Sequence, residues 1–182
     1  MSDTNARRYS TGAMAFHWVI AVLVIANWQI AERAEALDMP AKIEMFGYHK
    51  AVGIMILVLT LGRLLWRFTH PVPPLPATIS GWEAALARTV HVVFYVLLIG
   101  LPLGGWLANS LSGRDIDIFG LFTSPPLPVG ENGDLAGRIF DAHALGGTVF
   151  LALIVLHVLG ALKHTFVDRS GGIFRMLPFG RA

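Results

Sequence analysis

The chain contains no cysteine. That excludes disulfides, iron–sulfur clusters, thiolate ligands and covalent haem attachment through a C-x-x-C-H motif. It leaves the redox compartment open. Charge is scarce as well. Only 14% of the 182 residues are charged, where a soluble domain carries about 25%. Hydrophobic residues make up 54%, and the mean hydropathy is +0.60. This is the composition of a chain surrounded by membrane lipid, with no nucleic-acid partner expected. Its spans must satisfy their backbone groups internally, which points to a helix bundle.

Four long apolar runs are present, at residues 14–31, 45–68, 86–109 and 139–167. Each approaches or exceeds the roughly 20 residues that a spanning helix needs. The segments between them are recognisable. Residues 32–44 are charged, and 70–76 (HPVPPLP) cannot be helical because proline lacks a donor and restricts its neighbour. Residues 110–134 are rich in Gly and Pro, with turn signals at Pro125-Pro126 and Asn132-Gly133. Residues 1–11 are polar and hold no cleavage-type motif, so the first run is expected to be retained as a helix. The expected architecture is all-α, a transmembrane four-helix bundle forming one domain over residues 1–182.

Basic residues give the orientation. With both termini cytoplasmic, the cytoplasmic ends hold nine: Arg7, Arg8, Arg63, Arg67, Arg88, Lys163, Arg169, Arg175 and Arg181. The opposite side holds five: Arg33, Lys42, Lys50, Arg114 and Arg138. The expected topology is multi-pass, with both termini inside.

The histidines carry the chemistry. His143 and His157 lie 14 residues apart on the last run. In a helix that is about 21 Å of rise, with the two side chains within about 40° of one face. His17 opens the first run and His49 opens the second. The topology puts His49 and His143 at the outer depth and His17 and His157 at the inner depth. Nothing in the spacing forces that match. Two bis-histidine haems, bound without covalent links, fit this layout. A zinc ion does not, because it needs three or four ligands about 2.1 Å from one metal.

Other residues lie on the same faces. Gly53 follows His49 by four, Gly146 and Gly147 follow His143 by three and four, and Gly160 follows His157 by three. They either bare the backbone for a flat macrocycle or pack helix on helix. Arg63 is 14 residues after His49, at the inner depth. It is either a partner for haem propionates or a snorkelling boundary residue, a role that suits Arg67 better. His164 lies seven residues beyond His157, about 10 Å closer to the cytoplasm. It is either an ordinary interfacial histidine or a hydrogen-bond and proton partner for a quinone carbonyl. His91 competes with His17 as a ligand but ranks second, because its helix supplies no outer histidine. His70 precedes Pro71 and is expected to be solvated. Trp18, Trp28, Trp66, Trp82 and Trp106 fall near helix ends, as an aromatic belt does.

These stretches resemble a known family. AMAFHWVIA around His17, YHKAVGIMILVLTLGRLLWRFTHPVPPLP from Tyr48, HVVFYVLLIGLPLGGW from His91, HALGGTVFLALIVLHVLGALKH from His143 and FRMLP at Phe174 form an ordered set. That set is similar to the bacterial cytochrome b561 family of short inner-membrane cytochromes, along essentially the whole chain. The resemblance implies iron ligands at His17, His49, His143 and His157, two b-type haems, and electron flow between periplasmic donors and membrane quinone. One branch of the family oxidises superoxide and reduces ubiquinone, with a histidine beyond the last ligand beside the quinone. That histidine corresponds to His164.

The expected function is therefore superoxide oxidation coupled to ubiquinone reduction. Phe150 should separate the two haems. Lys50, Arg114 and Arg138 are the candidate basic cluster for drawing in superoxide, although the outer side as a whole is acidic. Two rivals remain. One is an electron-transfer subunit that serves a dehydrogenase or another periplasmic redox partner, whose haems would be reducible without superoxide turnover. The other is a haem-free bundle, which would purify colourless.

Overall fold

The computed structural model describes residues 8–74 and 79–179. Arg7, Arg181 and the last two residues of the 70–76 linker lie outside the described residues. Four helices dominate: α1 (Thr11–Glu35), α2 (Ala41–Thr69), α3 (Gly81–Leu111) and α4 (Gly133–Phe166). All four are long and apolar enough to cross a membrane.

Each helix extends the expected apolar run at both ends or at one, because caps and polar residues continue it past the hydrocarbon. The Ser10 hydroxyl accepts the Ala13 N–H at 3.4 Å and starts α1. Ser80 and Glu83 cap α3 reciprocally, with the Ser80 N–H donating to Glu83 Oε2 at 3.2 Å. The Asn132 side chain accepts the Leu135 N–H at 3.0 Å and starts α4 six residues before the apolar run. At the other end of α2, His70 takes an extended backbone ahead of Pro71 and stops the helix.

α1 packs chiefly on α2 and α3 on α4, with α2 and α3 joining the two halves. Ile20, Val52, Ile56, Leu98 and Phe150 meet in one buried cluster that draws on all four helices. Large side chains elsewhere point outward, such as Leu65, Val96, Leu145 and Leu156. That is the arrangement expected when the surroundings are lipid and close van der Waals fit holds the helices together.

The segment between α3 and α4 contains an antiparallel hairpin, β1 (Ile116–Ile118) paired with β2 (Phe122–Ser124). In the sequence only turn signals mark this stretch. The reversal places Phe119 at φ 55° and Gly120 at φ 71°, and the Gly120 N–H donates to Asp117 Oδ2 at 2.8 Å. Ile116 and Ile118 bury one face of β1 against Ala51 of α2. The hairpin is thus seated beside the His49 turn. This end of the bundle is called the hairpin end below, and the opposite one the termini end. A short 3₁₀ helix, Gly172–Met176, folds back onto the end of α4, where the Ile173 N–H donates to Thr165 Oγ1 at 2.9 Å.

Candidate functional site

The four histidines come together as two pairs. At the hairpin end the rings of His49 and His143 are 5.9 Å apart, centre to centre, with planes at 85°. At the termini end His17 and His157 are 6.3 Å apart, with planes at 75°. An imidazole nitrogen lies about 2 Å from a first-row metal it ligates and about 1.1 Å from its own ring centre. Two rings on opposite sides of one iron therefore stand roughly 6 Å apart. Both pairs have that separation. Among the described residues no three His, Asp or Glu side chains are grouped to hold one metal ion, so two-ligand sites remain.

Backbone carbonyls orient the hairpin-end pair. His49 Nδ1–H donates to the Asn27 carbonyl at 3.2 Å, and His143 Nδ1–H donates to the Leu101 carbonyl at 3.0 Å. With Nδ1 committed in this way, Nε2 is the nitrogen left for iron, which is how ligating histidines are usually fixed. α3 is shaped for this contact. A Cβ on Gly105 would lie 3.3 Å from His143 Cε1, so the glycine lets the ring reach the α3 backbone. Neither Asn27 nor Gly105 was singled out from sequence. The signals were there, however: an amide alone in an apolar run, and Gly104-Gly105 just after Pro102.

The termini-end pair is held by side chains. Arg63 Nη1–H donates to His17 Nδ1 at 3.1 Å, and the guanidinium carbon lies 5.9 Å from the Tyr95 ring centre. Arg63 therefore engages the pair rather than only marking the boundary. Arg67 reaches the same Tyr95 ring. His91 also converges here, 5.6 Å from His157, with Nδ1–H donating to the Ala87 carbonyl at 2.6 Å. Distance alone thus does not rank His91 below His17. The ranking rests on the depth pairing.

The glycines divide into two kinds. Cβ atoms on Gly147 and Gly160 would meet nothing within 4 Å, and one on Gly53 would meet only Asn27 Nδ2, at 3.9 Å. No packed side chain closes over these three positions, as a flat group lying against the helix would require. A Cβ on Gly146 would lie 2.7 Å from Leu101 Cδ2, so Gly146 packs α4 against α3. Asn27 Oδ1 is buried beside Gly53 with no protein donor among the described residues. Between the two levels Phe150 and Phe94 fill the bundle, 5.5 Å apart, and Phe94 also stacks edge-on with His157 at 5.3 Å. The residues present therefore fit two haems, one at each end.

The remaining candidates divide as follows. Lys50 Nζ donates to Asn109 Oδ1 at 3.2 Å, and the Asn109 amide donates to the Arg114 carbonyl at 2.7 Å. Lys50 and the Arg114 backbone thus meet around Asn109, whereas Arg138 is on α4 with no hydrogen bond or ion pair to either among the described residues. His164 Nδ1–H donates to Asp168 Oδ2 at 2.6 Å. His70 is not simply solvated. Its ring stacks on Trp66 at 3.9 Å and 6°, and Trp66 Nε1–H donates to Ser10 Oγ at 3.0 Å, so Trp66 joins α2 to α1.

The chain is similar along nearly its whole length to known proteins. The profile of the prokaryotic cytochrome b561 family matches residues 8–179. "Cytochrome b561 homolog 2" of Escherichia coli (strain K12) is 32% identical, over 97% of this chain and 95% of its own length. "Probable superoxide oxidase CybB" of Yersinia pestis is also 32% identical, over 94% of this chain and 97% of its own. "Cytochrome b562" of Cereibacter sphaeroides is 27% identical, over 96% of this chain and 98% of its own. The chain belongs to the prokaryotic cytochrome b561 family, and it is accordingly a bacterial membrane protein of electron transfer that binds b-type haem.

Proposed function

We propose that the chain is a superoxide:quinone oxidoreductase with two b-type haems, carrying electrons from the hairpin end to ubiquinone at the termini end. The observation that carries this reading is the pair of histidine couples, 5.9 and 6.3 Å across, at opposite ends of one bundle. His49 and His143 hold one haem, and His17 and His157 hold the other. Bound haem supplies reversible one-electron chemistry at each level.

The chain's own residues do the rest. The Asn27 and Leu101 carbonyls fix the outer imidazoles. Phe94, Phe150 and the aliphatic cluster around them keep water out of the middle. Arg63 sets a positive charge beside His17 and can take a propionate. Lys50, with the Arg114 charge near enough to repel it, forms a local cationic spot at the hairpin end, able to draw an anion across an otherwise acidic face. With the termini in the cytoplasm, as the basic residues favour, the hairpin end faces the periplasm and quinone is reduced at the inner headgroup level, beside His164. The name of the Yersinia relative supports superoxide as donor.

The test is anaerobic. Purified oxidised protein, with its haem content measured, receives superoxide, first alone and then with ubiquinone. Haem reduction by superoxide and reoxidation by quinone is the expected result. Haems that superoxide leaves oxidised, but that a dehydrogenase or periplasmic redox protein reduces, would make the chain an electron-transfer subunit instead.

A further inference from the structure

α4 ends in a closed turn that brings a carboxylate back over its last coil. The Asp168 N–H donates to the Lys163 carbonyl at 3.1 Å and the Ser170 N–H to the His164 carbonyl at 3.0 Å. The reversal requires Arg169 to adopt φ 50°, a left-handed conformation that a non-glycine residue takes at some cost. An acidic residue here faces the negative end of the helix dipole, which is unfavourable. Two cationic groups offset that. Asp168 Oδ2 accepts from His164 Nδ1–H at 2.6 Å and from Lys163 Nζ at 2.8 Å. Lys163 reaches on to Glu83 Oε1 of α3 at 2.8 Å. The Asp168 carboxyl is held below its ordinary range, first by the hydrogen bonds from Lys163 and then by the one from His164. A strained turn and an unfavourable charge are thus combined to bring one carboxylate to both the Lys163 ammonium and the His164 imidazole.

Building on the reading that quinone is reduced beside His164, we propose that Asp168 is the positioning residue for its protonation. It holds the His164 Nδ1–H and thereby presents Nε2 to the quinone oxygen.

The step balances. Two superoxide ions lose one electron each and leave as O2, and the quinone takes two electrons and two protons to become the quinol. One O–H bond forms as the Nε2–H bond of the imidazolium breaks, and the opposite quinone oxygen takes its proton from water. The imidazole is left neutral, still donating Nδ1–H to Asp168, and Nε2 regains a proton from water at that face. The carboxylate keeps the ring oriented, with Nδ1–H held and Nε2 left to the quinone oxygen. The other charges facing His164 do not replace it. Lys163, on the same helix, opposes it but is tied to Glu83 from α3. Arg169 follows in the turn. Arg175 on the 3₁₀ helix donates to the Pro74 carbonyl at 2.7 Å and the Pro73 carbonyl at 3.4 Å.

The test compares Asp168→Asn, Asp168→Glu, Lys163→Met and His164→Ala in the full-length, haem-loaded protein. Two measurements are made from about pH 6 to pH 9, spanning the range in which histidine titrates. One is reoxidation of prereduced haems by decylubiquinone. The other is the affinity of the oxidised protein for decylubiquinone by calorimetry. Asparagine can still accept the Nδ1–H but lacks the charge that holds it, so Asp168→Asn should reoxidise several-fold more slowly and with an altered pH profile. Asp168→Glu should restore the wild-type rate and profile, and Lys163→Met should leave both in place. A wild-type profile in Asp168→Asn overturns the role, and so does a Lys163→Met profile that copies Asp168→Asn, since an ion-pair latch would then explain both. Unchanged affinity and kinetics in His164→Ala would instead overturn the placing of quinone at this histidine.

Discussion

The two histidine pairs have nearly the same separation but are held by different means. At the hairpin end both rings lean on main-chain carbonyls, those of Asn27 and Leu101. At the termini end His17 takes its hydrogen bond from a side chain, Arg63, and a third imidazole, His91, crowds His157. Main-chain partners move only if a helix moves. A side-chain partner can change rotamer. The hairpin-end pair is therefore built for fixed geometry, and the termini-end pair, next to the proposed quinone site, for adjustable contacts around a permanent positive charge.

That contrast can be broken most directly by removing ligands. His143→Ala should abolish the hairpin-end haem while leaving the termini-end one, so pyridine haemochrome analysis falls from two haems per chain to one. A wild-type content of one haem per chain would dissolve the comparison altogether. Next in size is the choice within the crowded end. His91→Ala should keep both haems with bis-histidine spectra, whereas His17→Ala should lose the termini-end haem. The reverse pattern would hand the ligand role to His91. The smallest effect expected is at the α3 contact. Gly105→Ala puts a methyl 3.3 Å from His143 Cε1. It should cost about 1 kcal/mol of overpacking strain and weaken haem retention several-fold at the hairpin end alone. Equal loss at both ends, followed by thermal release of haem, would show that the main-chain contact does not belong to one pair.

Much of this was legible from spacing. Residues 14 apart share a helical face whatever the neighbours do, so the depth match of His49 with His143 and His17 with His157 followed from topology and rise. The four spans followed from composition. What stayed hidden depends on contacts between segments distant in sequence. The seat of the hairpin on Ala51 needs α2 and residues 116–118 placed together. The link from Arg63 to His17 crosses from α2 to α1, and arginine's reach makes its endpoint unreadable from periodicity. His70 looked solvated because Pro71 follows it, yet it stacks flat on Trp66 one turn earlier in the same helix. Asp168 was hidden for another reason. A carboxylate after a helix C-terminus reads as an ordinary loop residue until the left-handed turn at Arg169 folds it back.

Because α4 supplies one ligand to each pair, the 14-residue spacing of His143 and His157 sets a distance that no loop can change. An electron carried between those levels travels about 21 Å along the axis, against a hydrocarbon core about 30 Å thick. In the proposed orientation it moves inward, against the membrane potential, through roughly two-thirds of the voltage drop. The opposing work is about 1.6 kcal/mol for each 100 mV. The helix that spaces the two pairs thus also makes the reaction voltage-sensitive. Turnover in energised vesicles should slow as the potential rises and recover when an ionophore collapses it.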